Sequence, residues 1–168
     1  MNVERIPDID RAQFRRVLSS YPTGVVVVCA EVPEGPVGMA FNSFTSVSLD
    51  PPLVAFCPAK ASRTWAAIRA TSRFCISVLA AHHEQTSRRF GRVGADRFMG
   101  VPTHARAGGP AVDDAVAWID CVLEAEHDAG DHVIAVGRVL ALAASQDTPA
   151  LIFWRGRYTG VEPEDAVA

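Results

Sequence analysis

The chain has 168 residues, 49% hydrophobic and 21% charged, with a net charge of −3, which fits one buried core and argues against wholesale disorder. That charge lacks the basic footprint of a non-specific nucleic-acid binder. No run of about 18 apolar residues is available to cross a membrane, and the start, MNVERIPDIDRAQ, holds no apolar signal core, so a single cytoplasmic domain is expected.

Asp10 is placed to cap a helix over Arg11 to Ser20, in which Phe14, Val17, Leu18 and Tyr21 form one apolar stripe with Arg11, Arg15 and Arg16 largely off it. Pro22 ends that helix. Val25 to Ala30 reads as a strand buried on both faces or lining a barrel. The turn Pro33-Glu34-Gly35-Pro36 leads into a second strand, Val37 to Phe41. Apolar residues then stand at 41, 44, 47 and 49, so alternation fails and a bulge is expected, re-aiming side chains or freeing backbone N–H groups. Leu53 to Cys57 is a further strand. Ser62 suits a helix N-cap, with Trp65 and Ile68 supplying an apolar stripe to about Ala70. Phe74 to Leu79 is another strand.

Ala81 to Phe90 is polar and helix-compatible, Asp96 to Met99 has room for one more turn, and Val101 to Pro110, rich in Gly and Pro, reads as a loop. In Ala117 to His127 the apolar Ile119, Cys121, Leu123 and Ala125 alternate with Asp120, Glu124 and Glu126, as in a strand with one solvated face. Ala129-Gly130-Asp131 turns it back into a long apolar strand, His132 to Leu142, making an antiparallel hairpin. Leu151 to Trp154 and Tyr158 to Val161 flank Arg155-Gly156-Arg157, and the acidic tail Glu162 to Ala168 is expected to fray. Seven or eight strands, three or four short helices and no βαβ units predict a mainly β protein, a twisted antiparallel sheet closed into a small barrel.

Cys29, Cys57, Cys75 and Cys121 lie inside or at the end of apolar runs without a C-x-x-C pair, which reads as reduced core thiols. The segment Lys60 to Thr64 is a candidate anion site: a helix start has free N–H groups, Ser62 and Thr64 add hydroxyls, and Arg63 adds charge. The plainer alternative is that Ser62 only caps the helix. Gly38 to Ser48 offers hydroxyl, amide and bulged backbone donors, suited to a polar heteroaromatic ring or simply to a polar strand face. His127 to His132 has metal-ligand residue types, but the intervening turn breaks the spacing and no metal is expected. His82 and His83 read as surface residues. His132, opening an apolar strand, is either a donor into a cavity or a structural histidine. No G-x-S-x-G elbow, P-loop or G-x-G-x-x-G after a strand is present.

At these residues the chain resembles the flavin reductase-like family, FMN-binding split barrels that serve as reductase components of two-component flavin monooxygenases. The likeness runs from about Phe14 to Pro163. It comprises, in order, the stretch from Tyr21-Pro22-Thr23-Gly24 to Val27, the stretch from Asn42-Ser43-Phe44-Thr45-Ser46 to Leu53, then Ser62-Arg63-Thr64, Arg89-Phe90, Gly130-Asp131-His132 and Tyr158. The resemblance implies an antiparallel Greek-key split β-barrel, flavin-binding and homodimeric, with the flavin near the subunit interface. By the same resemblance Asn42, Ser43, Thr45 and Ser46 hold the isoalloxazine. Cys57, Lys60, Ser62, Arg63 and Thr64 line the ribityl and phosphate path, and Arg89 and Phe90 close its far side. His132 is the implied catalytic residue, meeting the nicotinamide, with Trp154, Arg155, Gly156 and Tyr158 on the NAD(P)H side.

The implied activity passes hydride from NADH or NADPH to FMN or FAD and hands the reduced flavin, by diffusion, to a partner monooxygenase, an aromatic or steroid-ring hydroxylase by likeness. Rival readings are a non-catalytic flavin- or haem-binding split-barrel carrier or sensor, and a structural dimerisation subunit of a larger oxygenase. The chain stops at Ala168, soon after the Tyr158 motif, where close relatives often continue.

Overall fold

A seven-stranded antiparallel sheet organises the protein, and the way its two ends are joined places the site. The computed structural model describes residues 9–94, 96–145 and 148–161. In sheet order the strands are β3 (Gly35–Phe41), β2 (Val26–Val32), β6 (Arg73–Val78), β9 (Ala117–Ala129), β10 (His132–Ala144), β5 (Pro52–Phe56) and β4 (Thr45–Leu49). The two end strands, β3 and β4, are consecutive in the chain and joined only by Asn42, Ser43 and Phe44. A connector of that length spans roughly 15 Å at most. The sheet must therefore curl until its edges nearly meet, yet no ladder joins them: it is a barrel split along the β3/β4 seam.

The valine run does what its composition predicts. Val25 to Ala30 is buried throughout, because β2 is covered on both faces. Inside the barrel lie Val26, Val28, Phe41, Phe56, Phe74, Ile76 and Ile119, together with Trp65 and Ile68 of α2 (Arg63–Thr71). The rings of Phe56 and Trp65 meet edge to face at 5.4 Å, and those of Phe56 and Phe74 at 5.5 Å, a preferred aromatic geometry. On the outer face Val25, Val27, Cys29 and Leu79 pack against Phe90 of α3 (Glu84–Phe90), Val112 of β8 (Gly109–Val112) and Leu151 of β11 (Ala150–Trp154). A three-stranded sheet, β1 (Thr23–Gly24), β11 and β12 (Arg157–Val161), completes that side.

The expected bulge is present: the β4–β5 register shifts between Ser46 and Ser48, leaving Val47 as the extra residue. Two further shifts in the β9–β10 hairpin, between Val136 and Gly137 and between Val139 and Ala141, bend the longest strands around the barrel. Gly137 sits where a Cβ would fall 2.9 Å from the Phe74 ring, so its lack of a side chain lets β10 close over that ring.

Several expectations need correction. Among the described residues there are twelve strands; the additional ones are β1, β4, β8 and β7 (Thr103–Arg106). Val101 to Pro110 is not a loop, because β7 and β8 form an antiparallel hairpin within and just beyond it. That hairpin lies on the sheet with its Gly108 directly over the Phe74 carbonyl, closer than any Cβ allows. It also removes Asp120 from solvent. Arg106 donates to one Asp120 carboxylate oxygen (2.8 and 3.1 Å) and the Gly108 N–H to the other (2.9 Å), leaving Asp120 2% exposed. The solvated face expected for β9 therefore fails at this residue. His82 is exposed as expected, but His83 is buried at the end of the single 3-10 turn Ala81–His83, where its Nδ1 accepts the Ala80 N–H at 3.2 Å. Asp96 to Met99 forms an Asx turn with no helix: the Asp96 carboxylate accepts from the Phe98 and Met99 N–H groups. All four cysteines are free. Burial, with Asp120 alongside, pushes the Cys75 thiol up to about 12, as befits an inert core residue. The acidic tail, Glu162 to Ala168, lies outside the described residues.

Helix α1 (Arg11–Leu18) forms as predicted, with the Asp10 carboxylate accepting from the Ala12 and Gln13 N–H groups. Its apolar stripe, however, packs on no core: Phe14, Val17, Leu18 and Tyr21 are 52–72% exposed. The helix is tied to the body at its end, where the Trp154 indole N–H reaches the Ser20 carbonyl (3.1 Å) and the Arg155 N–H the Ser19 carbonyl (2.9 Å).

Candidate functional site

The seam connector is pinned by one side chain. Ser43 Oγ accepts the Cys57 N–H at 2.9 Å, tying the β3–β4 passage to the exit of β5. Beyond β5 the chain runs beside the start of β10: the Val133 N–H donates to the Pro58 carbonyl, the Lys60 N–H to the Asp131 carbonyl, and Ala59 bridges His132. These contacts bring Asn42, Ser43 and His132, ninety residues apart in the chain, to the edge of one cleft of about 740 Å³. Gly156 joins them from the β11–β12 turn, where Arg155 (φ 48°) and Gly156 (φ 76°) both take positive φ, the form that matches strand twist in a two-residue hairpin. Phe153 and Thr23 from the small sheet, and Phe14, Arg15, Leu18, Ser19 and Tyr21 at α1, form the rest of the wall. Apolar walls with a few polar groups suit a planar aromatic ligand with a polar rim.

His132 has a defined hydrogen-bonding state. Its Nδ1 lies 2.7 Å from Asp131 Oδ1, and the hydrogen bond and charge of His132 hold the Asp131 carboxyl below its ordinary range. An ionised carboxylate only accepts, so Nδ1 carries the proton toward Asp131 and Nε2 is the ring nitrogen left for a ligand.

The second group of expected residues lies at the start of α2. Ser62 Oγ accepts the Trp65 N–H at 3.1 Å, so the hydroxyl is a cap, as the plainer alternative held. Thr64 Oγ1 accepts from Arg97 Nη1 at 3.0 Å, and the same Nη1 reaches the Gly38 carbonyl. Arg63 is exposed, without an ion-pair partner among the described residues. Lys60 pairs with Asp128 at 2.9 Å, an exposed contact that an arriving anion can replace at little cost. Arg97 lines a cavity of about 260 Å³ with Gly38, Thr64, Asp96 and Phe98, whereas Lys60 lines a separate one of about 230 Å³ with Trp65, Arg69, Glu126 and Asp128. Burial lowers the Arg97 pKa, and a guanidinium nonetheless remains charged at neutral pH.

The remaining expected residues are placed less uniformly. Cys57 is half-buried at the β5 exit, between the cleft and the α2 start, and Thr45 and Ser46 are exposed on β4 at the seam. Arg89 is half-buried, its guanidinium 3.5 Å from the Asp96 carbonyl. Trp154 carries the Arg155 guanidinium over its ring at 4.8 Å. The Tyr158 hydroxyl meets Ser87 Oγ at 2.9 Å and its ring packs on Phe153, and the three line a second cavity of about 220 Å³ with Asn42. Phe90 is 0% exposed, edge-on to Phe98 and against Gly38, and packs in the core. Sequence reasoning missed Arg97, an isolated cation in a polar stretch without periodicity. It also gave no role to Thr23 or Phe153, although Thr23 stood inside a motif that had been noticed.

Comparison with known proteins bears on this arrangement. The flavin reductase like domain matches residues 18–162. The chain is 45% identical over 160 residues to the reductase subunit of a flavin-dependent monooxygenase from Rhodococcus jostii (strain RHA1), covering 95% of this chain and 82% of that protein. Among solved structures it is similar to a homologue of nitrilotriacetate monooxygenase component B from Mycobacterium thermoresistibile, with a TM-score of 0.88 and 42% identity over 95% of this chain and 90% of that one. It is also similar to the NADH:FAD oxidoreductase of Streptomyces globisporus C-1027, solved in complex with NAD and FAD fragments, with a TM-score of 0.87 and 35% identity over 95% and 99% of the two chains.

Proposed function

The chain belongs to the flavin reductase-like family, and from that premise we propose that it is an NAD(P)H-dependent flavin reductase supplying reduced FMN or FAD to a separate monooxygenase. The observation that carries the reading is the meeting of Asn42, Ser43, His132 and Gly156 at one cleft of about 740 Å³. The volume is that of a cofactor site, and the donor set fits a flavin: hydroxyl and amide groups for the ring, cations and helix N–H groups for the phosphate. Asn42 and Ser43, with Thr45 and Ser46 beyond them, hold the ring edge. Lys60, Arg63, Thr64 and Arg97 hold the phosphate, with Cys57 between the two ends and Arg89 alongside Asp96.

A bound flavin supplies the ring that accepts hydride from the nicotinamide. The protein's task is then positioning and exclusion of water. His132, fixed by Asp131, presents Nε2 to the nicotinamide carboxamide. Trp154, Arg155, Gly156 and Tyr158 shape the donor's side, and no residue is required to abstract a proton. The exposed stripe of α1 and the exposed Leu49, Leu140 and Leu142 support a homodimer that covers apolar surface around an otherwise open cleft. No helix among the described residues is long and apolar enough to cross a membrane, and the unpaired buried thiols support a reducing, cytoplasmic setting.

The test crosses purified protein and both flavins with NADH and NADPH, following donor absorbance under air. Saturable oxidation with at least one pairing is expected. Flavin binding without any donor oxidation overturns the reading in favour of a carrier, and absence of both overturns the site.

A further inference from the structure

Among the described residues one buried side-chain polar atom has no hydrogen-bond partner, and it belongs to the cleft. Thr23 Oγ1 is shielded from solvent and unpaired, while Thr23 itself lines the 740 Å³ cavity with Asn42, Ser43, His132, Phe153 and Gly156. A hydroxyl kept away from water without a partner is a standing cost, and such groups are rare in folded chains. Nothing in the packing demands it. A valine has the same shape and would fill the position without the penalty.

The side of the cleft on which Thr23 sits narrows the ligand. It lies in β1, directly paired with Phe153 of β11, and so shares a sheet with the turn that carries Trp154, Arg155 and Gly156. His132 lines the same cleft, and with Nδ1 committed to Asp131 it has one ring nitrogen, Nε2, left for a ligand. A carboxamide presents two N–H donors and one carbonyl, more than a single nitrogen can meet. A threonine hydroxyl can donate to the carbonyl, once rotation about χ1 exchanges its two γ substituents between staggered wells.

We propose that Thr23 is a binding residue for the hydride donor, its hydroxyl turning into the cleft to donate to the carbonyl of the nicotinamide carboxamide. The proposal rests on the flavin reductase reading of the cleft. It adds a reason for the orphaned hydroxyl: the group is unpaired in the free protein because its partner arrives with the substrate.

Three readouts on Thr23→Val and Thr23→Ser test it, namely NAD⁺ affinity by calorimetry, flavin affinity by fluorescence quenching, and the melting temperature of the ligand-free protein. Thr23→Val is expected to weaken NAD⁺ binding about five- to tenfold, the loss of one neutral hydrogen bond with its acceptor left buried. The KM for NADH or NADPH should rise in parallel. Flavin affinity should stay within about twofold, and the melting temperature should be unchanged or higher. Thr23→Ser, which restores the hydroxyl, recovers NAD⁺ affinity to within about threefold. Wild-type NAD⁺ binding in Thr23→Val, equal losses in both variants, a loss confined to flavin, or a lower melting temperature in Thr23→Val each overturn the assignment. Because NAD⁺ binding needs no turnover, failure of Thr23 is distinguishable from failure of the reductase reading, which wild-type donor oxidation decides separately.

Discussion

His83 links stability to pH with a size that follows from its surroundings. The ring is 8% exposed, and burial, with His82 stacked 4.0 Å away, pulls its pKa from the ordinary 6.5 down to about 4; Asp114 acts weakly in the opposite sense. The unfolded chain takes up this proton near pH 6.5 and the folded chain only near pH 4. Stability is therefore full above 6.5 and is lost as pH falls through that window. The linkage amounts to about 2 kcal/mol at pH 5 and about 3 kcal/mol at pH 4. Urea denaturation of wild type and His83→Asn, followed by tryptophan fluorescence at pH 7.5, 6 and 5, isolates it, since the Asn oxygen takes the place of Nδ1 and can accept the Ala80 N–H without titrating. Wild type is expected to lose about 2 kcal/mol more than the variant between pH 7.5 and 5, a midpoint difference on the order of 1 M urea. Parallel losses in the two proteins would refute the reasoning. The consequence reaches the cleft, because Ala80 bridges Ala150 and the Ala81 N–H donates to the Pro149 carbonyl, which holds β11 and its Phe153 in place. Flavin affinity should fall over the same window in wild type and less so in His83→Asn.

Two further outcomes are accessible by mutation. Arg106→Met leaves the Asp120 carboxylate buried without its cation and should cost about 3–5 kcal/mol in denaturant unfolding, most of it recovered when Asp120→Leu is added; a single variant as stable as wild type would show that the pair carries no weight. Ser43→Ala removes the acceptor for the Cys57 N–H and should cost about 1 kcal/mol of stability. It should also weaken flavin binding measured by fluorescence quenching, and unchanged flavin affinity would take the seam connector out of the ring site.

What was legible in the chain was what local pattern controls. Val25 to Ala30 reads as a strand covered on both faces or lining a barrel, Ser62 is already a fitting helix cap, and the phase slip between Phe41 and Leu49 marks a bulge found at Val47. What was not legible depended on distant partners. Pro110 lacks a donor and Gly109 takes φ 136°, both signs of a loop, yet in a two-stranded ribbon neither is penalised as it would be inside a sheet. Asp120 looked solvated because its cation lies fourteen residues away on that ribbon. His83 is the exception, since the backbone N–H it accepts from lies only three residues earlier. At the site, hydroxyl density pointed to Asn42 and Ser43, whereas Arg97 and Thr23 have meaning only once the helix start and the small sheet stand beside them.

The seam has a consequence for how the protein behaves in a crowded solution. A sheet left unlaced between β3 and β4 exposes backbone donors and acceptors that another chain's strand could extend, the usual route to edge-to-edge aggregation. Strand β4 is a poor template for that. It is five residues long, and the irregularity at Val47 interrupts its ladder. The irregularity at Val47 thereby blunts one of the two edges that the seam leaves open, the other being β3.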